Sequence, residues 1–256
     1  MQRNIGRYFF ALVLIGLGIH AFVKSDFAPG FAPVPESLPG RQILVYLTAL
    51  TSVAIGAVLL VPRTAAIAAR VLFVWLLLWL VVMRIPWMFV DFGVGTWWAA
   101  SSTALLTGTA WMLYSSVANE WDRSRLAFIV GDGGARVARV LFGLGLIPIG
   151  LAHFLYLDAT APLVPAWMQW PVFWAYFTGA AFIAAGLAII FGVLGRLAAI
   201  LVTVQIALLT LIIWVPRVLS GQVTAFQWGE FVVSILLTAC ACIVADSYGR
   251  RPETAS

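Results

Sequence analysis

Long apolar runs separated by short polar stretches dominate this chain. Eight runs, at residues 6–24, 43–61, 65–83, 97–118, 136–157, 171–191, 195–214 and 226–246, approach the roughly 20 residues a helix needs to cross a hydrocarbon layer about 30 Å thick. Apolar character runs all round most of them, which is the mark of a buried or lipid-facing helix and not of an amphipathic surface helix. The alternating segments of about ten residues that build a membrane β-barrel are absent. The pattern predicts an all-α polytopic integral membrane protein with eight transmembrane helices.

Composition narrows the choice further. Of 256 residues, 63% are apolar or aromatic and 10% are charged, against roughly 25% charged in an ordinary soluble domain. Mean hydropathy is +1.03. Two cysteines in the whole chain exclude a disulfide scaffold. The net charge of +5 does not point to nucleic acid, because the basic residues are scattered between apolar runs and form no patch.

The basic residues instead predict orientation. Eleven fall in one set of loops and termini: Arg3, Arg7, Arg63, Arg70, Arg123, Arg125, Arg136, Arg139, Arg196, Arg250 and Arg251. Four fall in the other: Lys24, Arg41, Arg84 and Arg217. Positive loops stay in the cytoplasm, so both termini are expected there, in a bacterial inner membrane. Arg3 and Arg7 before an apolar run resemble a signal peptide, but no small-x-small cleavage site follows, and the first run is expected to be retained. Trp87, Trp97, Trp98, Trp167, Trp170, Trp174, Trp214 and Trp228 cluster at the expected outer ends, as headgroup anchors or as the lining of an outward cavity.

The second half repeats the first. Pro33-Val34-Pro35 recurs as Leu163-Val164-Pro165, Tyr46 and Thr48 as Tyr176 and Thr178, Gly56 as Gly186, Pro86 as Pro216 and Trp98 as Trp228, all at a spacing of 130. His20 recurs as His153, and Arg63 as Arg196, at 133. Four spans per unit return the chain to its starting side, so the expectation is two parallel-repeat four-helix bundles. The units are 1–122 and 136–256. The linker, 123–135, carries Gly131-Asp132-Gly133-Gly134, read as a turn.

Taken in order, Ala152-His153-Phe154, Val164-Pro165-Ala166-Trp167, Tyr176-Phe177-Thr178-Gly179, Gly186, Arg196-Leu197-Ala198-Ala199 and Val215-Pro216 resemble the DoxX-like family of four-helix membrane proteins. The first unit resembles it through His20, Val34-Pro35, Tyr46, Thr48, Gly56, Arg63 and Pro86. The resemblance implies a tandem DoxX-like protein: a redox-associated subunit binding a quinone, or a chaperone or scaffold in a membrane complex with partner proteins. Many members of that family carry a Glu four residues after the Thr of Thr-Gly. Here the matched positions are Phe182 and Ser52, which argues against proton-coupled chemistry.

Ionisable groups inside membrane spans are costly, so each is a functional candidate. His20 and Tyr46, and His153 and Tyr176, sit at similar depths near the expected outer ends. Each pair is expected to line a pocket under its own outer loop (25–42 and 158–170), binding a quinone or a lipid. The alternative for each histidine is a bond to a neighbouring carbonyl, and for each tyrosine aromatic packing with a polar tip. Arg84 and Arg217 beside Pro86 and Pro216 are expected to reach headgroups or offer charge to an acidic ligand at the mouth. Asp91 and Glu230 are the nearest acids, and Glu230 is expected to pair with Arg217. No metal site is expected from two histidines without a His/Cys/Asp cluster. Gly16, Gly18, Gly143, Gly145 and Gly150 are expected to let helices approach closely.

The charge asymmetry sets the first test. A cysteine introduced into the 25–40 loop should react with a membrane-impermeant thiol reagent added outside intact cells. One introduced at 120–134 should not, and outside labelling of that linker would reverse the orientation.

Overall fold

A computed structural model of the chain describes residues 5–90, 93–221 and 223–249. Arg3, Asp91, Arg250 and Arg251 lie outside the described residues. Among those described, all regular structure is helical. The long helices are α1 (Ile5–Lys24), α2 (Arg41–Leu60), α3 (Ala65–Val90), α4 (Val94–Val117), α5 (Asp132–Leu155), α6 (Pro171–Phe191), α7 (Gly195–Leu219) and α8 (Ala225–Ser247). All but α4 are long and apolar enough to cross a membrane.

The exception has a packing explanation. α4 is 24 residues long, but Ser101, Thr103, Thr107 and Thr109 lower its hydropathy. All four are buried. Thr103, Thr107 and Thr109 donate to the carbonyls of Ala99, Thr103 and Leu105 one turn back, at 2.8–2.9 Å. α4 packs against α3, α5 and α8, so its hydroxyls face protein.

α3 and α7 run past the expected ends at 83 and 214. Pro86 and Pro216 lack an N–H and crowd the carbonyl four residues back. Each helix answers with one π turn, Leu80–Arg84 and Thr210–Trp214. There Ile85 N–H reaches Leu80 O, and Val215 N–H reaches Thr210 O, so the helix widens and continues.

The helices form a ring in chain order. Neighbours pack from α1 to α8, α8 closes on α1, and α4 touches α8 across the ring. The first helix of each half therefore packs along the last helix of the other half, unlike two separately closed bundles. Small residues set the tightest crossings. Gly150 faces Gly179, and Gly143 faces Gly186, where an added Cβ would come within 2.6–2.8 Å of the opposing carbonyl. Gly18 and Gly56 do the same between α1 and α2, and Gly145 between α5 and α4. Gly16 departs from expectation, with nothing within 4 Å of its notional Cβ.

The linker is also more structured than the turn expected of it. It forms two short helices, Glu120–Arg125 and Ala127–Val130, and Asp132 to Gly134 already belong to α5. Asn119 and Asp122 cap the first reciprocally. The fully buried Asp122 also accepts from Tyr114 at 2.6 Å and Arg70 at 2.9 Å, tying the linker to α4 and α3.

The loop between α1 and α2 turns into the ring. Phe27, Ala28, Phe31 and Val34 are buried. Phe27 and Phe31 pack on Trp79 of α3 at 5.7 and 5.3 Å between ring centres. Gly30, at φ 102°, sits against Leu106 and Leu236, close to the midpoints of α4 and α8. Irregular backbone at that depth needs polar partners. Arg84 supplies them: Nη1 donates to Pro33 O at 2.5 Å, Nη2 to Phe31 O and Ala32 O at 2.5 and 2.8 Å, and Nε to Thr103 Oγ1 at 3.1 Å. Arg84 is 5% exposed, so it points inward, contrary to the expected reach for headgroups.

The loop between α5 and α6 behaves differently. Arg217 holds the carbonyls of Pro162 and Leu163 at 3.1 Å, but Trp167 and Trp170 are largely exposed. This loop rests on the rim where the first one is inserted.

These contrasts predict unequal arginine substitutions. Arg84→Met strands three loop carbonyls, one of them buried, and removes a buried charge's whole network, which should cost about 3–5 kcal/mol. Arg217→Met should cost about 1 kcal/mol. Thermal unfolding in detergent and protease sensitivity of the 25–40 loop measure both.

Candidate functional site

A cavity of about 1750 Å³ lies at the end of the ring that carries the 25–40 and 157–170 loops. Both histidines line it. α1 contributes Gly16, Ile19, His20 and Val23, and α5 with its C-capping residue contributes Ile149, Ala152, His153 and Tyr156. Each set is a single helical stripe, and the two are spaced by 133 throughout. α4 contributes Trp98, Ala99 and Leu106, and α8 contributes Trp228, Gly229 and Leu236, at a spacing of 130. The sequence suggested one pocket per unit. The structure joins the two histidines in one cavity instead.

The cavity is not even-handed. α6 and α7 add Phe182, Ile206, Leu209 and Trp214, whereas α2 and α3 add no lining residue. The difference follows from the loops. Phe27 and Phe31 are buried against Trp79 of α3, with Phe27 forming part of the cavity wall on that side. In the second half the loop presents Ala159, Thr160 and Leu163 to the cavity, none of them aromatic.

The histidines have different partners. His20 Nε2 accepts from the Trp228 indole N–H at 3.0 Å, across the α1–α8 contact. Its Nδ1 is buried without a partner. His153 Nδ1 lies 2.9 Å from Ile149 O, an acceptor, so Nδ1 carries the proton in the neutral ring. Its Nε2 has no partner among the described residues. The ring sits 5.6 Å from Phe182.

Tyr46 and Tyr176 are not part of this cavity. They are 42% and 40% exposed. Tyr46 stacks on Phe22 and lies 3.4 Å from Ser25 Oγ, and Tyr176 stacks on Phe154. Tyrosine at an interface prefers such packing, with ring in contact and hydroxyl at the polar edge. Arg84 and Arg217 also stand outside the lining, engaged by loop carbonyls. The expected Glu230–Arg217 pair does not form. Glu230 lines the cavity, one helical turn beyond Phe226, with no hydrogen bond or ion pair among the described residues. Sequence reading undervalued it because it has no acidic counterpart in the first half.

The tryptophans divide between the two expected roles. Trp87, Trp97, Trp167 and Trp170 are exposed at the loop end. Trp98, Trp214 and Trp228 line the cavity. Chemically, the arrangement is a mostly apolar chamber with a few polar groups converging near its mouth, the usual make-up of a small-molecule site.

Compared with known proteins, no family model matches the chain, and no curated protein or solved structure matches it.

The two histidines should respond differently to truncation. His20→Ala leaves the Trp228 N–H unpaired in an apolar wall and should cost about 1–3 kcal/mol. His153→Ala breaks only a bond to its own helix and should cost less. Thermal unfolding of the two variants in one detergent compares them.

Proposed function

We propose that this protein is an eight-span integral membrane protein, with α4 as the span hidden among the others and both termini in the cytoplasm. In this reading its two halves are a parallel DoxX-like repeat. The π turns of α3 and α7 at matched positions, each followed two residues on by Pro, support the repeat. So do the matched stripes of α1 and α5.

The protein binds a quinone or a similar ring-headed small molecule from the outer face, as a redox-associated subunit of a membrane complex. The observation that carries this reading is the partner-free His153 Nε2 in an apolar chamber, beside Phe182 and below the mouth. An imidazole there offers a polar contact to a ring substituent, while the apolar wall takes a hydrocarbon tail. The chamber volume favours a second reading, a non-catalytic lipid-binding scaffold. About 1750 Å³ exceeds the roughly 300–1,000 Å³ of ordinary small-molecule pockets and has room for a lipid with its chains.

Mass spectrometry of the gently purified protein separates the two. A stoichiometric quinone, in its oxidised or its hydroxylated form, lost on His153→Ala and largely kept on His20→Ala, is the expected result. Phospholipid alone would favour the scaffold and overturn the quinone reading.

A further inference from the structure

The filled half of the ring shows what the hollow half can hold. In the first half, two buried aromatic rings, Phe27 and Phe31, stand on Trp79 of α3. In the second half, α6 and α7 wall part of the cavity, and the loop brings Ala159, Thr160 and Leu163 to it, with no aromatic ring among them. Leu209, at the spacing of 130 from Trp79, lines that space. A site whose counterpart is filled by the protein's own aromatic side chains is shaped for a flat ring.

The polar groups define what that ring must carry. His153 Nε2 is an acceptor in the neutral ring, because Nδ1 is committed to Ile149 O. Glu230, on the facing helix α8, presents carboxyl oxygens that accept whether or not the group is ionised. Neither has a partner among the described residues, and an acceptor in an apolar wall gains most from a ligand that brings a donor. A ring bearing only carbonyl oxygens leaves both unsatisfied.

We infer that the hollow between α5, α6, α7 and α8 selects an aromatic head group that donates hydrogen bonds, a phenol-type ring, in the place that Phe27 and Phe31 occupy in the first half. This rests on the ligand-binding reading above and narrows it from ring-headed ligands in general to their hydroxylated form. No electron or proton transfer is part of the inference.

Equilibrium dialysis of the full chain in detergent micelles, against empty micelles, tests it with naphthol and naphthoquinone, which share a ring system and differ in donor and acceptor groups. Naphthol should be retained about five- to ten-fold more tightly, the worth of one or two hydrogen bonds. His153→Ala should remove the preference. Ala159→Phe, which supplies the missing ring from the loop, should abolish retention of both compounds while leaving the thermal midpoint at or above that of the parent protein. Naphthoquinone held as tightly as naphthol, yet released by Ala159→Phe, would overturn this inference and leave the ligand-binding reading standing. Retention of neither compound by the parent protein would overturn both.

Discussion

Arg84 is the interaction on which the rest of the structure turns. Four donor contacts from one guanidinium hold the carbonyls of Phe31, Ala32 and Pro33 and the hydroxyl of Thr103. They hold a loop without regular structure near the midpoints of α4 and α8, where carbonyls in apolar surroundings need donors. The arginine can reach the loop because the π turn that accommodates Pro86 ends on it. A helix-breaking residue thus positions the group that makes an inserted loop tolerable, and the inserted loop fills the first half of the ring.

The second half keeps the scaffold and changes the filling. It has the same π turn, the same Pro and an arginine on loop carbonyls. Its loop lacks the two phenylalanines, so α6 and α7 wall a space where α2 and α3 do not. Ring closure then makes that space common property. Because α1 packs on α8, and α5 on α4, His20 and His153 open into one chamber. The same swap gives His20 a tryptophan from the far half, while His153 keeps a free nitrogen. Two residues in matched positions acquire different chemistry through their neighbours alone.

The helical architecture was legible in the sequence because it depends on local composition. Each run of about 20 apolar residues satisfies its backbone within itself, so length and hydropathy suffice to find it. The ends missed at 83 and 214 were places where Pro normally stops a helix, and a π turn overrode that rule. Candidate site residues were legible as types and depths. His20 and His153 do line the cavity, but depth says nothing of rotation about the helix axis. Tyr46 and Tyr176 share the histidines' depth and point to other neighbours. Glu230 escaped weight because repeat symmetry drew attention to matched residues, and it has none.

By itself the sequence determined that the chain is a set of long apolar helices and where they begin and end, within a few residues except beside Pro86 and Pro216. Those are properties of short windows. Only the tertiary structure decided that the first loop buries Phe27, Ala28, Phe31 and Val34 while the second buries none, that the halves close on each other, and that one shared cavity replaces two. Each of these rests on contacts between residues far apart in the chain, such as Arg84 with Phe31 and Trp228 with His20. No local pattern encodes such a contact, because it depends on which helix faces fit together once all are packed.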